Sequence, residues 1–434
     1  MKRTFKNNPV YSQTFSAYVR TLLGERIPLE FFIEGTRSRS GKLMLPKKGL
    51  LSMIIQGWES GVSRDVIFVP VYVGYDTVVE ENTYIREMKG ETKKKETIFQ
   101  LIKAGSILKN RYGKVYIRFA APISMNDYML NKSSYSKMDS PGKERFYDNV
   151  AGEIISAIYQ QTVATPFSLI SCALMSSASA VEEEALRKGF LTFHAYLRHM
   201  GYNLSSTLAN DEEAFKEALI ILKNKKLISI DEGQTGDPNL VTVDNEDRIH
   251  LEYYKNTILN FFVPASLLSS VLLKNPQGIV EKIFQEHVIN LASLLENEFI
   301  LDMESMVKAM QFMTRTGIVT LSKGMYTAAE GASDTLRMFA GLIENYLESY
   351  LCVARHIDKI KGSSDKDALK PINRYATRMF KKGEIKRFEA LCLPVYKGAL
   401  DSFRKKGLID DQNRITDERS MKELVHEIEG YLEV

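Results

Sequence analysis

The sequence predicts an α/β layer, a mixed sheet with flanking helices that is short of an element, followed by a mostly α-helical C-terminal domain. Three observations carry that expectation. Apolar segments with strand character alternate with helical ones between residues 9 and 119. A polar, turn-rich stretch over 126–150 then breaks the pattern. From about Asp148 onward, apolar residues recur at helical spacing almost to the end. At 434 residues the chain is long enough for two or three domains with a substantial core. The expected division is a partial α/β domain over 1–125, a linker over 126–147 and a helical domain over 148–434.

In order, Val10, Phe15, Val19 and Leu22–Leu23 mark a helix over 9–26, with Arg20 and Arg26 outward. Leu29–Ile33 reads as a short strand, 35–48 as a loop and Leu50–Trp58 as a buried helix. Val66–Tyr75 is rich in β-branched and aromatic residues and so reads as a strand, with Pro70 marking an irregular or edge position. A helix over 97–111 and a strand over Val115–Phe119 complete the α/β part. Its first element is a helix with no strand before it. In the helical part we expect helices over 182–199, 211–223, 278–298, 333–356 and 382–405, with a small hairpin inside 228–250. No repeat of fixed period is visible.

Charge is unevenly spread. The net charge is +4, but residues 1–125 hold 21 Lys+Arg against 11 Asp+Glu, a net of +10, which leaves −6 for the rest. A basic front half points to a partner that carries phosphate or an anionic surface. Cys172, Cys352 and Cys392 show no CxxC spacing, which implies neither a disulfide framework nor a zinc site and suits a reducing compartment. The opening MKRTFKNNPVYSQTF lacks the apolar core of a signal peptide. Two uncharged stretches are long, 154–181 and 256–273; the second, with a central proline, approaches the length of a membrane span. Buried core helices are the expected outcome for both. A surface-bound protein stays open, because basic charge beside apolar surface favours anionic lipid.

The stretch with most chemistry is FFIEGTRSR (31–39), continuing as SGKLMLPKKG to Gly49. An apolar run feeds an acid and a glycine. Two arginines at spacing two follow, then Lys42, Lys47 and Lys48. Guanidinium groups grip phosphate oxygens bidentately and lysines add point charge. A solvated, salt-bridged turn is the ordinary alternative. The company this loop keeps favours the phosphate reading: the basic opening KRTFKNN (2–8) precedes it, and VPVYVGYD (69–76) and TYIREMKGETKKKE (83–96) follow in fixed order.

Taken together, these blocks resemble the membrane-associated glycerol-3-phosphate O-acyltransferases and the related dihydroxyacetone phosphate acyltransferases. The resemblance runs from Met1 to about Pro122 and continues more weakly through RIHLEYYKNTILNFFVP (248–264) and FRKKGLI (403–409). It implies that Arg37 and Arg39 hold the phosphate of the acyl acceptor and that Glu34, beside Gly35, orders the loop. It places Lys2 and Arg3 where the family usually shows two arginines. Lys47 falls where the family has a basic residue after a proline, and Pro70 would shape the acyl or pantetheine side of the cleft. The implied reaction moves a fatty acyl group from acyl-coenzyme A or acyl carrier protein to the 1-hydroxyl of glycerol 3-phosphate. That yields lysophosphatidate, the first step of phospholipid synthesis, at the cytoplasmic face of the cell membrane. No cofactor or metal is implied, because the thioester is already activated.

One departure matters. The family's first block is a His and an Asp separated by four residues, the general base and its orienting partner. Of His194, His199, His250, His287, His356 and His426, none has an aspartate five positions on. The expectation is therefore an N-terminally truncated copy, a split gene or a misplaced start that keeps the acceptor half of the site. A non-catalytic fragment or partner subunit that binds phosphorylated acceptor is the first rival, and a dihydroxyacetone phosphate acyltransferase the second. A nucleic-acid binder is not expected, since no recognition motif accompanies the basic residues.

Overall fold

The computed structural model describes residues 8–35, 38, 40–76, 114–129, 135–177, 180–231, 233 and 238–433. The helix expected over 97–111 and the charge run Lys93–Lys95 lie outside these residues. The chain divides into two compact units, one of Met1–Ser38, Leu43–Tyr75 and Lys114–Thr162, the other of Arg39–Lys42, Asp76–Gly113 and Val163–Val434.

In the first unit, α1 (Pro9–Gly24) starts at an Asn8 cap whose side chain accepts the Tyr11 N–H at 3.1 Å, with Pro9 in the first turn where no N–H is missed. It packs on α2 (Lys48–Glu59), which buries Leu51, Ile54 and Ile55. Gly57 permits the close approach, since a Cβ there would lie 2.7 Å from Leu23 Cδ1. The strand expected over 29–33 does not form. Those residues are irregular and Phe32 is 82% exposed. The physical reason is that a strand exists only through its ladder, and among the described residues no neighbour pairs with this one.

The segment expected as one strand is two, β1 (Ile67–Phe68) and β2 (Val71–Tyr75), separated at Pro70, which has no N–H for a ladder. β3 (Val115–Phe119) pairs antiparallel with β2, from Val71 opposite Phe119 to Tyr75 opposite Val115. β4 (Ile123–Ser124) pairs antiparallel with β1, and the Ala120 N–H donates to Pro70 O at 2.9 Å between them. The result is one bent two-stranded ribbon. Asp65 ties its end, accepting from Ser124 Oγ at 2.7 Å and from the N–H groups of Val66 and Asn126. Val66, Phe68, Pro70 and Gly74 are buried, and β2 packs on the long helix α4. A short helix, α3 (Met125–Met129), precedes α4 (Ser140–Gln160), which begins at an Asp139 cap and buries Phe146, Tyr147, Val150, Ile154 and Ile155. These two helices occupy much of the stretch expected as a linker, and α4 is part of the first unit.

The second unit is built around the 30-residue helix Asn245–Lys274, against which Pro166–Met175 and Ser333–Gly341 pack. This helix is long and apolar enough to cross a membrane by length and composition, but 83% of its apolar window is buried inside the protein. Tyr254, Phe261, Phe262 and Leu267 lie in a core that also holds Tyr196, Phe193 and Phe339. The expected hairpin forms from Ser229–Asp231 and Leu240–Thr242, which also pairs with Val181–Glu182. The helix expected over 333–356 is broken into Ser333–Gly341 and Glu344–His356. That expected over 382–405 shortens to Leu393–Lys405, with Pro394 in its first turn.

Candidate functional site

The loop after α1 is closed at its base within the first unit. The Lys47 N–H donates to Ile33 O at 2.7 Å, and the Gly35 N–H to Phe32 O at 2.9 Å. Gly35 has φ +67, and a Cβ there would sit 2.8 Å from Lys47 Cγ, so both conformation and space require glycine. Glu34 Oε1 accepts the Met44 N–H across the loop at 3.5 Å. Burial pushes the Glu34 carboxyl above its usual range, and that N–H pulls partly back. Of the residues singled out from sequence, Glu34, Gly35 and Lys47 are therefore brought together. Pro70 sits on the ribbon, where its carbonyl serves Ala120. Arg37, Arg39, Lys2 and Arg3 lie outside the described residues.

Two of the three lysines expected to add free charge are already engaged. Lys48 pairs with Glu144 and Asp148, each at 3.0 Å. These carboxylates raise its pKa, with the Asp148 hydrogen bond the larger cause. Lys42 is a component of the second unit's interior, where it pairs with Glu298 and stands over the rings of Phe299 and Tyr346 at 5.4 and 5.3 Å. Asn256 Nδ2 donates to Ser40 O at 2.9 Å, and the Tyr346 hydroxyl donates to Asn256 Oδ1 at 3.1 Å. Gly41, φ +75, lies so close to the core helix that a Cβ would fall 2.0 Å from Tyr253 O. Sequence spacing treated Lys42 as one more cation. Its partner is 256 residues away in the chain, and no local pattern signals it.

The block Arg248–Pro264 has a structural use for its polar residues. Arg248 forms a two-pronged pair with Glu389, at 3.0 Å through Nε and 2.7 Å through Nη2, with both side chains buried. Lys255 pairs with Glu252 at 2.8 Å and donates to Leu342 O and Asn345 Oδ1. Arg387 joins Glu344 and the carbonyls of Met175 and Ser176. Glu348 accepts the backbone N–H groups of Lys386 and Arg387, while burial pushes its carboxyl up to about 8. The charges of Arg248, Lys255 and Arg387 are paired inside the helical unit, as buried charges must be.

No histidine of the chain has an aspartate five positions on, but one finds an aspartate in space. His194 Nδ1 lies 3.3 Å from Asp211 Oδ2. Its Nε2 is buried without a hydrogen-bond partner, and burial holds its pKa below the ordinary value. A base must reach the proton it removes. This imidazole is sealed in the helical core at 4% exposure. It is a core residue.

Comparison with known proteins finds two matching regions. Residues 84–412 match the model of the glycerol-3-phosphate acyltransferase C-terminal region, and residues 1–74 match an acyltransferase model. The chain belongs to the glycerol-3-phosphate acyltransferase family. Proteins named glycerol-3-phosphate acyltransferase match over most of it. That from Pseudomonas fluorescens (strain SBW25) is 30% identical over 279 residues, which is 62% of this chain and 33% of the relative. That from Ectopseudomonas mendocina (strain ymp) is 32% identical with the same coverage. The Pseudomonas paraeruginosa protein is 30% identical over 304 residues, 68% of this chain and 35% of its own length. The chain thus spans about a third of the length of the curated relatives it matches.

Proposed function

We propose that this member of the glycerol-3-phosphate acyltransferase family carries the acceptor half of an acyl-transfer site. Glycerol 3-phosphate is the acceptor, and acyl-coenzyme A or acyl carrier protein is the donor. The supporting observation is the loop closed by Ile33, Glu34, Gly35 and Lys47, within the stretch that matches the acyltransferase model. The described ends of this loop are fixed at a glycine with positive φ and at the backbone hydrogen bond from Lys47 to Ile33. In this reading the guanidinium groups of Arg37 and Arg39 grip the acceptor phosphate in bidentate fashion. Lys47, with Lys2 and Arg3, adds positive charge, and Glu34 keeps the loop in register.

The thioester supplies its own driving force, so the reaction calls for no cofactor. It does call for a base to take the 1-hydroxyl proton, and the 434 residues contain no His–x4–Asp pair to serve. The chain alone then binds acceptor and turns over slowly. Work at a membrane surface, peripheral or monotopic on the cytoplasmic side, fits a basic front half and an acyl product that partitions into lipid. Dihydroxyacetone phosphate presents the same phosphate and is the nearest competing acceptor.

The test is calorimetric titration of glycerol 3-phosphate into the chain and into Arg37→Ala. We expect binding that weakens at least tenfold in the variant, with donor binding unchanged. Equal weakening for acceptor and donor would remove Arg37 from the phosphate site.

A further inference from the structure

Within the second unit, the helix Asp365–Lys381 sets its cations in a row. It packs on Glu344–His356 and on Leu393–Lys405 and buries Ala368, Ile372, Ala376 and Met379. Lys366, Lys370, Arg374, Arg378 and Lys381 are all exposed. At about 100° per residue these five fall within an arc of about 120°, opposite the buried positions. The first three steps are four residues each, about 6 Å, and the stripe runs about 22 Å along the helix axis.

Neighbouring acids do not neutralise it. Asp365 pairs with Arg404, and Asp367 accepts from the Ser364 hydroxyl at 2.6 Å in the helix's first turn. From Ala368 to Gly383 the sequence has no acid, in a part of the chain, 126–434, whose net charge is −6. Among the described residues, no carboxylate makes an ion pair with any of the five cations. Arg378 stands over the Tyr375 ring at 5.8 Å, and Tyr375 stacks on His356 at 4.7 Å. Burial lowers the His356 pKa, and Arg378, Lys359 and Arg374 lower it further. Cations from this helix and from the turn Ile357–Lys359 thus converge on one imidazole.

A row of charges on an exposed helix face suits a macromolecule rather than a small ligand, which binds in a concave site. The row has no part that enters lipid, since among the described residues no strongly exposed large apolar side chain lies beyond Met325. Charges one turn apart match a rod that carries carboxylates at the same interval, which is a helix with acids at i, i+4 and i+8. Arg374 and Arg378 add forks that take carboxylates in two-pronged fashion. We propose that this stripe docks an acidic helix of acyl carrier protein, the one of the two donors named above that is itself a protein. The docking rests on the proposed reaction for the identity of the donor and on the stripe alone for its place.

The experiment is calorimetric titration of purified, phosphopantetheinylated acyl carrier protein into the 434-residue chain. We expect a one-to-one complex whose affinity falls as salt rises. Arg374→Glu with Arg378→Glu should weaken it roughly tenfold or more while the melting midpoint of the chain stays put. Lys370→Glu with Lys381→Glu should do the same, and serves as an independent pair should the first disturb the contact with Tyr375. Lys188→Glu with Lys216→Glu changes the net charge equally at exposed lysines of two other helices. That control pair should leave the affinity within about twofold. Failure of the carrier protein to bind would overturn the proposal, as would weakening no greater in the stripe pairs than in the control pair. So would stripe pairs that lose binding to phosphatidylglycerol vesicles or to duplex DNA while keeping the carrier protein. Titration of acyl-coenzyme A and glycerol 3-phosphate into the same proteins separates the docking site from the reaction. A chain that binds both but not the carrier protein keeps the reaction and loses the docking site, and one that binds none of the three loses both.

Discussion

Replacing Lys42 with methionine probes the least expected contact in the protein. Within the second unit the Lys42 side chain is 20% exposed and its partner Glu298 only 3%. Methionine keeps the apolar stem over Phe299 and Tyr346 but removes the charge, losing about 0.5–1 kcal/mol of cation–π attraction. Glu298 keeps the Tyr350 hydroxyl as a donor at 3.3 Å. Breaking a buried ion pair on one side costs roughly 3–5 kcal/mol. The partial exposure of Lys42 brings the expectation to about 3 kcal/mol. At roughly 2–4 °C per kcal/mol for a unit of this size, the thermal midpoint should drop by roughly 6–12 °C. Circular dichroism at 222 nm follows it, since the unit is mostly helical. Adding Glu298→Gln should return much of the loss, because no unpaired charge then remains. A Lys42→Met midpoint within 1 °C of the parent would refute the assignment of this lysine to a buried pair.

Two other perturbations follow from the same core. Gly41→Ala, at φ +75 and with its new Cβ 2.0 Å from Tyr253 O, should cost more than about 2 kcal/mol, whereas Gly61→Ala at φ +79 in open space should cost about 1 kcal/mol. Similar losses in urea melts would mean that the close approach at Gly41 is not real. Glu348 has a folded pKa of about 8, above its unfolded value of 4.5, so its contribution is fully present below pH 4.5 and is lost as pH rises through 8. Stability should fall by roughly 2–3 kcal/mol between pH 5.5 and 7.5, at about 1.4 kcal/mol per unit, and Glu348→Gln should flatten that slope. An unchanged slope in the variant would assign the pH dependence elsewhere.

The order of elements was legible where periodicity is local. α1, α2, β3, the 229–242 hairpin and the helices beginning at Glu183 and Asp211 lie where their apolar spacing puts them. What failed to show was anything decided by a distant partner. Leu29–Ile33 has strand composition, but a ladder needs a neighbour, and composition carries no information about whether one is present. The apolar stretch 256–273 is equally suited to lipid and to a protein core, and only the helices packed around it decide. The candidate site divides along the same line. Glu34, Gly35 and Lys47 are neighbours through a turn, which sequence can suggest. The pairing of Lys42 with Glu298 and of Arg248 with Glu389 spans the chain and becomes visible only in three dimensions.

Acyl transfer itself bears most directly on the central claim, that the chain holds the acceptor half of the site without the base. The measurement is the initial rate from acyl-coenzyme A to glycerol 3-phosphate, for the 434-residue chain and, in parallel, for the full-length Pseudomonas fluorescens relative. The expected result is acceptor binding by the chain with a rate roughly 10²–10⁴-fold below that of the relative, the range that general-base assistance supplies. A rate equal to the relative's would contradict it.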